Sequence, residues 1–352
     1  MIFKKFKINK INFLNRIIVS PMCQYSANNG CPTKWHYQHL SSFSNSGVGG
    51  IMIESTAVNK VGKITHKDLA IYSKQQIKEL KKLVVFLKKI NKEMPIGIQI
   101  AHSGRKGSAN VPWENKGASL NKKKSWKTVS PSKIKRANGW PLPKEMSKKD
   151  IQKLILDFKK AAIAANYCGI DCLEIHMAHG YLLHQFMSPI SNKRNDEYGG
   201  SLKNRCKILI EVSKIVRKVW PNNKCLGARI TGTDHLKDGL NNKDAVYLAK
   251  KLEDIGFDYI CVSSGGILPK TNMKFKMGFR MNICKTIKKH TNLKIRTSGM
   301  LNSINLIKKG LRNKNFDFVA IARPFLKNPN WIFEDAKKTE YKAIVPKQYL
   351  RG

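Results

Sequence analysis

Short apolar runs alternate with longer segments of helical period from one end of the chain to the other. Eight of the short runs, at 16–22, 50–56, 95–102, 171–176, 226–231, 259–264, 294–298 and 318–322, are apolar almost without a break. Alternation of apolar and polar positions would mark strands wet on one face, whereas unbroken runs mark strands covered on both, as in a parallel sheet. Between them the spacing predicts helices over 73–93, 147–168, 201–220, 244–255, 281–289 and 304–311, with Ile77, Leu80, Leu83, Val84 and Leu87 showing the repeat. Ser73 with Gln76, and Ser147 with Asp150, have the spacing of capping boxes. Gly169, Gly256 and Gly310 stand where a left-handed residue would close a helix. Eight βα units predict a TIM (β/α)8 barrel, a fold of about 250 residues. It would form a single domain over 1–352, with a long insertion, about 104–146, after the third strand and over the active face. A doubly wound sheet is the alternative, but no strand is followed by GxGxxG or GxxxxGK[ST].

Composition changes this picture little. The 352 residues are 41% hydrophobic, which excludes a disordered chain. The 66 Lys and Arg against 23 Asp and Glu give a formal charge of +43, which points toward nucleic acid or an anionic surface. Only 12 of the basic residues are Arg, and the Lys are spread over polar helix faces, as at Lys78, Lys81, Lys82, Lys88 and Lys89. A solvated surface with no specific nucleic-acid partner is expected, and a basic nucleic-acid- or anionic-surface-binding protein on a barrel scaffold is the alternative function. Eight Cys without a CxxC fit a reducing compartment. Neither a signal-peptide core nor a run of about 20 apolar residues is visible, so a cytoplasmic protein without membrane attachment is expected.

In a barrel, reactive side chains lie at the C-terminal ends of the strands. Those positions hold Cys23 and Tyr25, Ser55, Gln99 and His102, His176, His179 and Tyr181, Arg229, Ser263 and Ser264, Gly299 and Arg323. A turn after His176 would bring His179 to the same side, where two neutral imidazoles could each donate to one oxygen and Tyr181 could deliver a proton. A metal site built from Glu174, His176, His179 and His184 is a second reading, although the spacing is not HExxH and the preferred assignment holds no metal. The ends of the last two strands, RTSGM and IARPF, offer small residues and Arg323 for a phosphate.

These residues resemble the old yellow enzyme family of FMN-dependent ene reductases and NADPH dehydrogenases, and within it the bacterial class with a flavin-side Cys and a His-x-x-His pair. The stretches that carry the resemblance are NRIIVSPMCQYS, IGIQIAHSGRK, IHMAHGYLLHQFMSPISNKRNDEYGGSLKNR, IARPFLKNP and VPKQYLRG, in that order along the chain. The resemblance implies FMN as cofactor and NADPH, or NADH, as hydride donor. Pro21, Met22, Cys23 and Ser55 would lie against the flavin, Gln99 and Arg229 would bind its pyrimidine edge, Gly299, Met300 and Arg323 would hold its phosphate, and Ala322 would also contact the cofactor. Cys23 would tune the flavin's potential, His176 and His179 would hold the carbonyl of an α,β-unsaturated compound, Tyr181 would protonate it, and Tyr25 would line the pocket. The reaction would be ping-pong through flavin N5. Arg351 matches an arginine that reaches a neighbouring subunit's pocket, which implies a homodimer or homotetramer. Family members commonly continue with an aromatic residue where this sequence reads Gly352.

Overall fold

A computed structural model describes residues 2–334 and 344–351. Eight parallel strands close into a barrel: β1 (Ile17–Val19), β2 (Gly50–Ala57), β3 (Ile96–Ala101), β4 (Cys172–Met177), β5 (Cys225–Thr231), β6 (Tyr259–Ser263), β7 (Lys294–Thr297) and β8 (Phe318–Ile321). They pair in sequence order, with β8 returning to β1. Each lies in or nearly within an expected run. β1 is shorter than its apolar stretch because Pro21 has no N–H to give a ladder and turns the chain toward the barrel mouth.

Both capping boxes form: Ser73 Oγ accepts from Gln76 N at 3.3 Å, and Ser147 Oγ from Asp150 N at 3.2 Å. Gly169 (φ +84°) and Gly256 (φ +88°) follow helix ends in the left-handed conformation. Gly310 does not. It lies inside the helix Ile304–Arg312, where a Cβ would come within 2.4 Å of the Phe316 ring, so its bareness serves packing. The expected helix 201–220 is interrupted at Cys206, giving Leu202–Arg205 and Lys207–Val219. Helices Lys34–Ser41, Leu182–Met187, Arg323–Lys327 and Trp331–Glu334 were not anticipated. In the first, KWHYQHLS buries only His36 and Leu40, too sparse an apolar stripe to show a period.

The barrel interior is layered. At the N-terminal end Met52, Cys172, Cys225, Tyr259, Cys261 and Phe318 pack together. An antiparallel hairpin, Phe6–Ile8 with Ile11–Phe13, plugs that end, its Phe6 ring 5.1 Å from Phe13 and 5.3 Å from Phe318. Gly227 admits the Tyr259 ring, which would lie 2.1 Å from a Cβ there. Above these come Gln99, Glu174 and Arg296, all buried. His176 and Arg229, register partners on β4 and β5, stand nearer the C-terminal mouth. The insertion after β3 is tied to that mouth by buried Arg105, which donates to Ile134 O, Lys135 O and, across the face, Ile267 O. Arg194 holds its base through Pro131 O and Met146 O.

Candidate active site

After β4 the chain turns sharply, with His179 at φ +57° and Gly180 at φ +71°. Gly180 is required here: a Cβ would lie 2.1 Å from Gly266 O. The turn puts the His176 and His179 rings 5.0 Å apart on one side, as the spacing predicted. Ala178 N donates to His176 Nδ1 at 3.1 Å, which leaves that ring's proton on Nε2. His176 Nε2–H then faces His179 Nδ1 at 3.2 Å, and His179 Nε2–H faces Ser263 Oγ at 2.5 Å. Both imidazoles are pushed well below their usual range, first by burial and then by the positive charge of Arg229, so they are neutral. The Tyr181 ring lies 4.6 Å from His176 and 6.5 Å from His179. Burial, then Cys23 and Asp68, raise its phenol, so it carries its proton. Beside it Lys106 donates to His179 O at 2.7 Å, with Nζ 5.0 Å from the Tyr181 ring centre. Burial, then Arg136 and Arg105, lower this ammonium to about 7.

The segment after β1 comes near the Tyr181 phenol, with Cys23 and Tyr25 close enough to interact with it electrostatically. Gln24 N donates to Glu54 Oε2 at 2.9 Å and Gln24 Oε1 accepts from Trp35 Nε1 at 3.1 Å, which fixes the strained Tyr25 (φ +49°). Tyr25 meets Trp113 of the insertion edge to face at 5.9 Å. Burial, then Glu54 and Asp68, hold the Cys23 thiol well above its usual range, while the Ser55 backbone and Tyr25 hydroxyl oppose them. Cys23 is thus a protonated thiol, not a thiolate.

Adjoining these groups is a cavity of about 790 Å³. Of the anticipated residues, Pro21, His179, Arg229, Gly299, Met300, Ala322 and Arg323 line it. Gly299 (φ +103°) and Met300 (φ +50°) bend the backbone around its rim. Arg229 donates through Nη2 to Ser298 Oγ at 3.3 Å, and its buried Nε has no partner. Sequence reasoning missed Arg280, which enters the cavity from the loop after β6, and Lys106. Neither stands at a strand end; Lys106 could have been found as the lysine that ends the quoted IGIQIAHSGRK, whereas Arg280 carries no local signal.

Other anticipated groups stand elsewhere. Gln99 lies one layer deeper, its Nε2 donating to Glu174 Oε1 at 2.6 Å. Glu174 also accepts from Tyr259 Oη at 2.9 Å and from Arg296. His184 is paired with Asp234 at 2.9 Å, both fully buried. His102 Nδ1 accepts from Gly104 N at 3.0 Å and shapes its own turn. Glu174, His176, His179 and His184 therefore do not converge, and among the described residues no group of three or more His, Cys, Asp or Glu could hold a metal ion. Ser264 serves Arg280, whose Nε donates to its hydroxyl at 3.0 Å. Arg351 is exposed. No helix among the described residues is long and apolar enough to cross a membrane.

A barrel with a cationic cavity at its seventh and eighth strand ends, flanked by neutral proton donors, has the layout of a barrel enzyme, with its site at the C-terminal face. The sequence matches the NADH:flavin oxidoreductase / NADH oxidase family over residues 1–342, and the chain belongs to that family. It is 36% identical to an NADPH dehydrogenase of Geobacillus sp. (strain WCH70) over 100% of this chain and 98% of that one. An NADPH dehydrogenase of Clostridium acetobutylicum is 36% identical over 100% of this chain and 99% of its own length. Among solved structures, morphinone reductase in complex with tetrahydroNAD superimposes with a TM-score of 0.78 at 20% identity, over 97% of this chain and 93% of that chain. The 2-naphthoyl-CoA reductase complex gives 0.84 at 22% identity over 94% of this chain, which spans about half (51%) of that longer chain. These two likenesses speak for the barrel. The old yellow enzyme resemblance and the barrel expected from the sequence are thereby borne out. The chain is an FMN-dependent oxidoreductase of the NADPH dehydrogenase kind, with a nicotinamide as hydride donor.

The residues present fit FMN. Arg229 has a buried unpartnered Nε, no carboxylate is among the cavity's lining residues, and Gly299 and Arg323 stand together at its rim. An anion with a hydrogen-bonding ring edge satisfies all of these at once.

Proposed function

We propose that the enzyme reduces the activated C=C bond of α,β-unsaturated carbonyl compounds. The observation that carries this reading is the pair of neutral imidazoles, His176 and His179, held beside the Tyr181 phenol at the edge of the cationic cavity. When bound, FMN supplies ping-pong hydride transfer through N5, from NADPH or NADH to the β-carbon of the substrate. Pro21, Met22, Cys23 and Ser55 would support the ring, Arg229 would take its pyrimidine edge in place of the expected Gln99, which is held by Glu174, and Gly299, Met300 and Arg323 would take the phosphate beside Ala322. The substrate oxygen accepts His176 Nε2–H, displacing the His179 contact, and the freed His179 turns its own N–H to the same atom. These donors stabilise charge that grows on the oxygen as hydride arrives. Tyr181 gives its proton to the α-carbon, Tyr25 closes the pocket, and Arg351 reaches the site of a neighbouring copy in a homodimer or homotetramer.

The test is anaerobic stopped-flow mixing of NADPH-reduced enzyme with 2-cyclohexenone. Rapid flavin reoxidation with formation of the saturated ketone is expected; reoxidation no faster than in buffer would remove the reading. Tyr181→Phe should leave reduction by NADPH unchanged and slow reoxidation by about 10² to 10⁴, the usual worth of a positioned acid. Unchanged reoxidation would hand the proton to water or another group. Lys106 adds a pH dependence. Its charge helps the adjacent phenol release a proton and is lost as pH rises through about 7. Wild-type reoxidation should slow above that point, and Lys106→Met should be uniformly slow without the inflection. An inflection that persists in Lys106→Met would assign it to another group.

A further inference from the structure

Arg280 caps the helix Met281–His290 and is anchored on three sides. Its Nε donates to Ser264 Oγ at 3.0 Å, and its Nη1 to Ser298 O at 3.2 Å and Ser298 Oγ at 3.4 Å. The guanidinium lies 4.5 Å from the Phe279 ring centre and over bare Gly299, where a Cβ would be 2.5 Å from Nη1. Ser298 Oγ also accepts from Arg229 Nη2 at 3.3 Å, so one hydroxyl draws two guanidinium groups together. Nothing among the cavity's lining residues neutralises them: Arg323 and Lys327 add further positive charge. Like charges gathered in a partly desolvated cavity are unfavourable unless an anion belongs there. Arg229 alone would suffice to mark a pyrimidine edge. A second, rigid guanidinium on the same hydroxyl has a further task.

On the flavin assignment above, we propose that Arg280 acts with Arg229 as a second positive charge for the reduced flavin ring, favouring the anionic two-electron-reduced state over the oxidised state. Arg280 borders Gly299 on one side and Arg229 on the other, and the Ser298 hydroxyl that anchors it is the one that Arg229 uses. Its charge, after burial, Arg229 and His176, contributes to the depression of His179. Burial and Arg229 in turn draw the Arg280 guanidinium down to about 10. Arg280 therefore retains its charge at neutral pH. Two-electron reduction leaves negative charge on the pyrimidine portion of the ring, so fixed cations there shift the equilibrium toward reduction.

The experiment is the midpoint potential of the FMN-loaded enzyme, measured by equilibration with reference dyes, for wild type, Arg280→Gln and Arg280→Lys. Arg280→Gln should favour the oxidised form about tenfold, a fall of about 30 mV for a two-electron couple. Arg280→Lys, which keeps the charge and loses the fork, should retain most of the wild-type potential. Sulfite affinity, which reads the ring's tolerance of negative charge, should fall in parallel. Arg280→Met keeps the stem against Phe279 and replaces Gln if that variant does not fold. An unchanged potential in the neutral variants would overturn the proposal, as would equal losses in Gln and Lys, which would show a buttress for Ser264 and Ser298. Loss of affinity for FMN with none for riboflavin would move Arg280 to the phosphate and also overturn it. Wild-type protein that takes up no FMN would sink the flavin assignment, and the proposal with it.

Discussion

Enzyme with both His176 and His179 replaced by Ala should hold FMN and yet reduce 2-cyclohexenone about 10³-fold more slowly. Removing one preorganised donor to a developing oxyanion costs about 10² to 10³, and here both would go. The single variants should differ, because the hydrogen bonds run one way. Ala178 N fixes the His176 proton on Nε2, where it faces His179 Nδ1, and the His179 proton faces Ser263. Loss of His179 leaves a His176 N–H already aimed and unengaged. Loss of His176 leaves only the His179 N–H, which must first leave Ser263 to reach the oxygen. His176→Ala should therefore be the more damaging single change, and the two effects should not add. Burial and Arg229 keep both imidazoles neutral, so the asymmetry should persist through the ordinary histidine range. Stopped-flow reoxidation of the three variants checks this, with flavin absorbance confirming occupancy. Undiminished turnover in the double variant would end the carbonyl-donor assignment.

The eight strands were legible because a strand covered on both faces leaves little choice but an unbroken apolar run. So was the turn at His179, since residues three apart cannot share a side of a straight strand. Side-chain partnerships across the barrel were not. Glu174 reads along its own strand as a polar interruption and an imaginable metal ligand; its partners Gln99, Tyr259 and Arg296 come from β3, β6 and β7, and only closure brings them to it. Gln99 accordingly stands inside that cluster and not on the cavity wall. Arg280 escaped notice because it leaves a loop at no strand end, and Ser298, which draws it to Arg229, is an ordinary residue in sequence. Gly310 misled because a glycine near a helix end looks the same whether it supplies a left-handed turn or, as here, room for Phe316.

Arg296→Met should destabilise the fold by about 3–5 kcal/mol, the usual loss when one partner of a buried ion pair is removed. Arg296 and Glu174 are both essentially inaccessible to water. Arg296 donates to Glu174 Oε2, its guanidinium 4.9 Å from the Tyr259 ring centre and 5.8 Å from that of Phe318. Without it the carboxylate keeps two hydrogen-bond donors, Tyr259 Oη at 2.9 Å and Gln99 Nε2 at 2.6 Å, but no positive charge within the lumen layer. Hydrogen bonds alone do not replace a counter-ion in a low-dielectric interior. The double variant Glu174→Leu/Arg296→Met should lose less than Arg296→Met, because removing both charges also removes the cost of desolvating them. It should still weaken the site, since Gln99 Nε2 and Tyr259 Oη would lose their acceptor and the amide would be free to turn. Urea unfolding followed by tryptophan fluorescence gives the order wild type, then double variant, then Arg296→Met. If Arg296→Met unfolds at the wild-type midpoint, or below it by no more than the double variant, the pair is not what holds the middle of the barrel together.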